Sequence, residues 1–201
     1  MKLLYTPLSP FARKVRVAAL ELGLTLDLVE VDPWETESPL AAYNPALRVP
    51  VLCHEGLTLP GSTLICEYLD TLHKHKPLVP ESGAERWQVL RLHALADGML
   101  EACVAHVVER VRRPESLQYS YWLDRQEIKI TASLDLMETL LPDNGRGEDL
   151  ATITLACALE YLNIRLAHLN WQKRYPTLDA WYSEKRLRPS MLNTRPLAPH
   201  A

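Results

Sequence analysis

A strand, a helix and a second strand fit into the first thirty-one residues, and that economy restricts the topology more than any other feature of the chain. Lys2 to Tyr5 is a short apolar run cut off at Thr6-Pro7, as suits a buried strand ended by proline. A helix follows almost at once: Ser9 is a good N-cap and Pro10 is favoured at the first helical position. Phe11, Val15, Ala18, Ala19 and Leu22 then recur at helical spacing until Gly23. Leu26 to Val31 alternates apolar and acidic residues and reads as a second strand. Two strands joined by a helix over so short a span lie parallel, with a right-handed crossover.

After an irregular stretch from Asp32 to Pro45, Pro50-Val51-Leu52-Cys53 and Leu57-Thr58-Leu59 flank His54-Glu55-Gly56, the pattern of an antiparallel hairpin. Ser62 opens a helix through Ile65, Leu69 and Leu72. The N-terminal unit is therefore α/β, in the order βαβ-ββα with a mixed sheet, over residues 1–75. Polar residues, two prolines and Gly83 mark residues 76–83 as a linker.

Residues 84–201 read as an all-α domain. Ala84 to Arg112 carries Trp87, Leu90, Ala94, Cys103, Val107 and Val111 as its apolar stripe, and Ile130, Leu134, Met137 and Leu141 continue in the next helix before Pro142 and an Asp143-Asn144-Gly145 turn. Leu150 to Leu166, capped by Asp149, is apolar on nearly every side and belongs in the middle of its domain. A last helix from Thr177 to about Leu187 precedes a proline-bearing tail.

Charge narrows the partners: 22 Lys and Arg against 25 Asp and Glu give a net charge of −3, with no handle for nucleic acid or an anionic membrane. Arg110, Arg112 and Arg113 read as a solvated basic helix end that complements the helix dipole. Cys53, Cys66, Cys103 and Cys157 stand too far apart for a redox pair or a zinc quartet and read as reduced core residues. His73 and His75 fall just before the linker, and His93 and His106 on one long helix, so no metal is expected. Prolines and charges interrupt the N-terminus before a signal-peptide core or a membrane span can form, which makes cytoplasmic the expected location.

Two motifs carry a family resemblance. Ser9-Pro10-Phe11-Ala12-Arg13-Lys14-Val15-Arg16 is similar to the serine version of the active-site turn of cytosolic glutathione transferases. Asn44-Pro45 with Arg48-Val49-Pro50-Val51-Leu52 resembles that family's glutathione-strand motif. The order of elements matches the family over essentially the full chain, and Trp181-Tyr182 to Arg188-Pro189-Ser190 resembles the ends of bacterial members. The resemblance implies a thioredoxin-like N-terminal domain that binds glutathione as co-substrate and a helical domain that shapes a pocket for an apolar electrophile. It also implies a homodimer.

On that resemblance Ser9 is the catalytic residue, its hydroxyl favouring the thiolate at the positive end of a helix. Tyr5, at the end of the first strand, is the rival, since some classes of the family use a tyrosine. Pro50 is expected to be cis, turning the backbone of Val49 toward the cysteinyl part of the ligand. Ser62 would meet the γ-glutamyl carboxylate at a helix start, and Arg48 the glycyl carboxylate.

The family's acid before that serine is here Gly61, with Glu67, Asp97 or a partner subunit as possible substitutes. Leu8, Phe11, Met99 and Cys103 are the candidates for the second-substrate pocket. Two alternatives stay open: a non-catalytic interaction module on the same fold, and glutathione-dependent reductase, peroxidase or isomerase chemistry at the same residues.

Overall fold

The structure is a computed structural model and describes residues 1–72, 76–141 and 147–196. His73, His75, the Asp143-Asn144-Gly145 turn and the proline-bearing end of the tail lie outside the described residues. In chain order the elements are β1 (Lys2–Tyr5), α1 (Pro10–Glu21), β2 (Asp27–Glu30), β3 (Val51–His54), β4 (Leu57–Pro60), α2 (Ser62–Thr71), α3 (Gly83–Arg112), α4 (Ser120–Leu140), α5 (Leu150–Arg165), α6 (Trp171–Arg174), α7 (Pro176–Lys185) and α8 (Pro189–Asn193).

The four strands lie in the order β2-β1-β3-β4, with β1 and β2 parallel and the other pairs antiparallel. Glu55 and Gly56 both take positive φ, at 48° and 80°, which is what a two-residue hairpin turn between twisted strands requires. Successive strand residues point to opposite faces. Leu3 and Leu52, partners in the register, bury against α1 and α2, whereas Leu4 and Val51 bury on the other face with Leu40.

The domain boundary is not a gap in the core. One hydrophobic cluster runs from Leu3, Val15, Ala18 and Ile65 of the sheet domain to Leu150, Ile153, Ala156 and Met191 of the helical domain. The segment read as a linker is pinned. Asp70 accepts hydrogen bonds from the amides of Leu78 (2.6 Å) and Val79 (3.0 Å), and the Leu78 carbonyl accepts from Leu150 (3.1 Å), with both linker side chains buried.

α5 is the buried central helix, packed on α3 and α1. Its start is a reciprocal cap: Asp149 Oδ1 accepts from the Thr152 amide (2.8 Å), and Thr152 Oγ1 accepts from the Asp149 amide (3.0 Å). The stripe of α3 differs from expectation. Val89, His93, Ala96, Leu100, Cys103 and Val107 face inward, while Trp87, Ala94 and Val111 are exposed. Trp87 precedes Val89 by two residues, about 200° around the helix, so a stripe begun at Trp87 starts on the wrong side. No single helix among the described residues is long and apolar enough to cross a membrane.

His93 occupies a polar seam inside this core, its Nδ1 2.9 Å from Thr154 Oγ1 of α5 and its Nε2 3.2 Å from Thr63 Oγ1 of α2. Burial first, and then the neighbouring Lys14 ammonium, push its pKa down to about 4, against a smaller opposing effect of Asp97. The unfolded chain, with an ordinary histidine near 6.5, takes up this proton between those values while the folded chain does not. Stability therefore falls as pH drops through that window, on the order of 2 kcal/mol from this residue by pH 5. Urea unfolding at pH 7 and pH 5 should show that loss in the wild type and a smaller one in His93→Gln; equal losses would contradict the assignment.

Candidate functional site

Three chain segments meet at one edge of the sheet. The register Leu4↔Val51↔Pro60 aligns the C-terminal end of β1 with the start of β3 and the end of β4. The turn leading to Ser9, the segment entering β3 and the start of α2 follow from that register.

Ser9 is the N-cap of α1. Its Oγ accepts a hydrogen bond from the Ala12 amide (3.2 Å), and Pro10 occupies the first turn. Acceptance through the oxygen leaves the hydroxyl proton free to be donated outward, so capping and donation to an anion are compatible at one side chain. Tyr5 is half-buried at the end of β1, with the Arg16 guanidinium 5.4 Å from its ring centroid.

The Val49–Pro50 peptide is cis. Asn44, buried, shapes the approach: its Nδ2 donates to the Arg48 carbonyl (2.8 Å) and its Oδ1 accepts from the Ala46 amide (3.1 Å). Among the described residues no hydrogen bond uses the backbone N–H or C=O of Val49. Arg48 is exposed and has no ion-pair partner among them.

Gly61 donates its amide to the Pro50 carbonyl (3.1 Å), which ties the start of α2 to the cis bond. Gly61 is the N-cap residue and Ser62 the first helical residue, buried at 6% exposure. Ser62 therefore does not cap the helix, and no side chain does, so the first amides of α2 remain free of side-chain partners. The backbone at Gly61, φ 90° and ψ 134°, is one that L-residues rarely adopt, although a Cβ there would meet nothing within 4 Å.

Both acids proposed to stand in for the missing one are occupied. Glu67 pairs with Arg86 (3.1 Å), and Asp97 pairs with the fully buried Lys14 (2.6 Å). The pocket candidates divide as well. Leu8 and Phe11 are half-buried, but Met99 and Cys103 are 0% exposed within the helical core and have no surface to offer a ligand. Cysteine was a poor guide here because small apolar side chains fill interiors as readily as they line clefts. Burial pushes the Cys66 thiol up to about 12 and raises those of Cys103 and Cys157, so none of these three is a nucleophile at neutral pH.

Sequence reasoning missed the two basic residues after Ser9. Arg13, 3% exposed, donates from Nη2 to the Met191 carbonyl (3.1 Å) and Lys14 holds Asp97, so both fasten α1 to the helical domain. Arg112, read as solvated, has its guanidinium 4.5 Å from the Trp34 ring centroid. An adjacent Arg-Lys pair on a helix whose other faces are apolar was the signal available.

A mixed four-stranded sheet with a cis-proline at its edge and an appended helical bundle defines the two-domain thioredoxin-like class. Residues 3–77 match the family model "Glutathione S-transferase, N-terminal domain" and residues 120–184 the model "Glutathione S-transferase, C-terminal domain". The chain is 35% identical over 98% of its length, and 98% of the relative's, to the uncharacterized GST-like protein YibF of Escherichia coli. It superposes on a glutathione transferase family member from Pseudomonas fluorescens Pf-5 with bound glutathione at TM-score 0.92, 38% identity and 98% coverage of both chains. A structure of the same Pseudomonas fluorescens Pf-5 protein with bound S-(propanoic acid)-glutathione gives a TM-score of 0.89, 38% identity, and 98% and 100% coverage. The chain belongs to the glutathione S-transferase family.

The Gly61 backbone yields a prediction. Gly61→Glu places a carboxylate in open space at the start of α2, at a conformational cost of roughly 1–3 kcal/mol. The resemblance implies that an acid here pairs with glutathione's amino group, so the variant should unfold at lower urea yet bind glutathione about tenfold more tightly by calorimetry. Weaker binding in a folded variant would show that this position does not face that group.

Proposed function

We propose that this protein binds glutathione along the sheet edge and holds its thiolate at Ser9 for addition to a small apolar electrophile. The observation that carries this is Ser9 itself: a helix N-cap whose oxygen is already satisfied by the Ala12 amide and whose proton is available to a sulfur anion at the positive helix end. The open backbone of Val49 is suited to pair with the cysteinyl residue as an added strand does. Ser62 and the uncapped amides of α2 suit the γ-glutamyl carboxylate, beside Gly61, and Arg48 suits the glycyl carboxylate. The glutathione-bound relative supports the same ligand here.

In the reaction the thiol proton passes to solvent, the thiolate forms a carbon–sulfur bond, and the displaced electron pair leaves with a leaving group or moves onto an activated double bond. The same relative also carries glutathione with its sulfur substituted, which fits a product of this kind. Leu8 and Phe11 are the apolar residues we assign to the electrophile's pocket. We further propose a cytoplasmic homodimer that uses neither nucleic acid nor membrane. Exposed Leu64 on α2 and Trp87 on α3, helices joined by the Glu67–Arg86 pair, support the dimer.

A second reading rests on Gly61: without the acid, glutathione is held too weakly for catalysis, and the fold serves as a protein-interaction module. Reductase, peroxidase or isomerase chemistry at the same thiolate is a variant of the first reading, separated from it by the co-substrate consumed. Calorimetric titration of glutathione, with conjugation to a chloronitrobenzene, tests both. Ser62→Ala should weaken binding about tenfold or more. Ser9→Ala should keep binding and cut turnover at least about tenfold, with a cap loss of about 1 kcal/mol in stability. Undetectable binding of millimolar glutathione by the folded wild type would favour the interaction module.

A further inference from the structure

The sequence sets His106 apart from any metal set, because the histidines are too irregularly placed along the chain. The fold supplies the partners from elsewhere. His106 on α3, Glu127 on α4 and His168 in the short turn Ala167–Leu169 after α5 converge, with one donor atom from each all within 4.8 Å of one another.

Glu127 Oε1 lies 3.1 Å from His106 Nε2 and 3.2 Å from His168 Nε2, so both imidazoles address the same oxygen. The two rings are 5.9 Å apart, tilted by 32°. In a tetrahedral zinc site with bonds of about 2.0–2.1 Å, neighbouring donor atoms are separated by about 3.3 Å. Both oxygen–nitrogen separations, 3.1 and 3.2 Å, are within a few tenths of an ångström of that value.

We propose that His106 Nε2, Glu127 Oε1 and His168 Nε2 form a binding site for a zinc-type divalent transition metal, with solvent as the fourth ligand. Two imidazoles and a carboxylate suit zinc and its first-row neighbours rather than calcium or magnesium, which prefer oxygen donors. The buried His106, with 4% of its side chain exposed, is the fixed ligand; Glu127 at 38% and His168 at 57% have the freedom to close around an ion. The site draws on three separate segments of the helical domain, so metal binding cross-links them. Its role is structural and independent of glutathione binding, since none of the three residues belongs to the Ser9–Ser62 edge.

Affinity is limited by the surroundings. Coordination through Nε2 leaves the His106 proton on Nδ1, and among the described residues that buried atom has no hydrogen-bond partner. Metal-binding histidines usually donate this proton to a carboxylate or carbonyl, and losing such a partner weakens binding on the order of 10–100-fold.

The test is titration of tag-free, chelator-treated protein with Co²⁺, followed by its visible absorption and by displacement with Zn²⁺. The wild type should bind one equivalent with the intense bands of a low-coordinate cobalt site and melt several degrees higher with Zn²⁺ than with chelator. His168→Ala removes an exposed side chain and should leave the metal-free melting point unchanged, while weakening Co²⁺ binding on the order of 100-fold and abolishing the zinc-dependent shift. Glu127→Gln should do the same to binding. Absence of saturable Co²⁺ and Zn²⁺ binding by the wild type, or binding that survives both substitutions, would overturn the proposal.

Discussion

The buried ion pair between Lys14 and Asp97 is the contact on which the two halves of this molecule depend. The lysine is completely enclosed and its ammonium sits 2.6 Å from the carboxylate of a helix in the other domain. Removing one partner of such a pair strands a buried charge, at a cost of about 3–5 kcal/mol, whereas the intact pair is worth much less than its Coulomb attraction suggests. Its value is geometric. Lys14 and Arg13 fasten α1 on two sides, to α3 and to the carbonyl of Met191 in α8, and thereby fix the direction in which the N-terminus of α1 points. That N-terminus carries Ser9, so the helical domain determines the aim of a hydroxyl that belongs to the sheet domain.

The same economy governs the edge where Ser9 lies. The β1-β3-β4 register aligns two helix starts and a cis-proline segment, and the Gly61–Pro50 hydrogen bond holds two of them together. Each helix start is incompletely capped in a useful way: Ser9 keeps its proton and α2 keeps its amides. Glycine at position 61 removes a charge but also removes the strain that any L-residue would carry at φ 90°. The backbone at that residue favours glycine, whereas the proposed ligand contact would favour an acid.

Much of this was legible from sequence because it is written locally. Ser9-Pro10, Glu55-Gly56, the Asp149–Thr152 cap and the apolar α5 each report a backbone event within a few residues, and each is found where the pattern places it. The long helix α3 shows where that stops. The stripe read from sequence starts two residues early, at Trp87, because an exposed tryptophan looks like a core residue, and only packing against α4 and α5 distinguishes the faces. Met99 and Cys103, read as pocket residues, lie fully buried in the helical core, which no sequence pattern distinguishes from a cleft lining. Lys14–Asp97, His93 with Thr63 and Thr154, and the His106, Glu127 and His168 cluster join residues far apart in sequence, so no spacing rule could reveal them.

The central claim is that Ser9 favours the ionised sulfur of glutathione, and the direct measurement is a pH titration of the ultraviolet thiolate absorbance of glutathione bound to the protein. The account predicts that the bound thiol ionises one to two units below the ordinary value of about 8.5. In Ser9→Ala the bound thiol should return most of the way to that value. A bound thiol that titrates at its free value in the wild type, or equally low in Ser9→Ala, would contradict it.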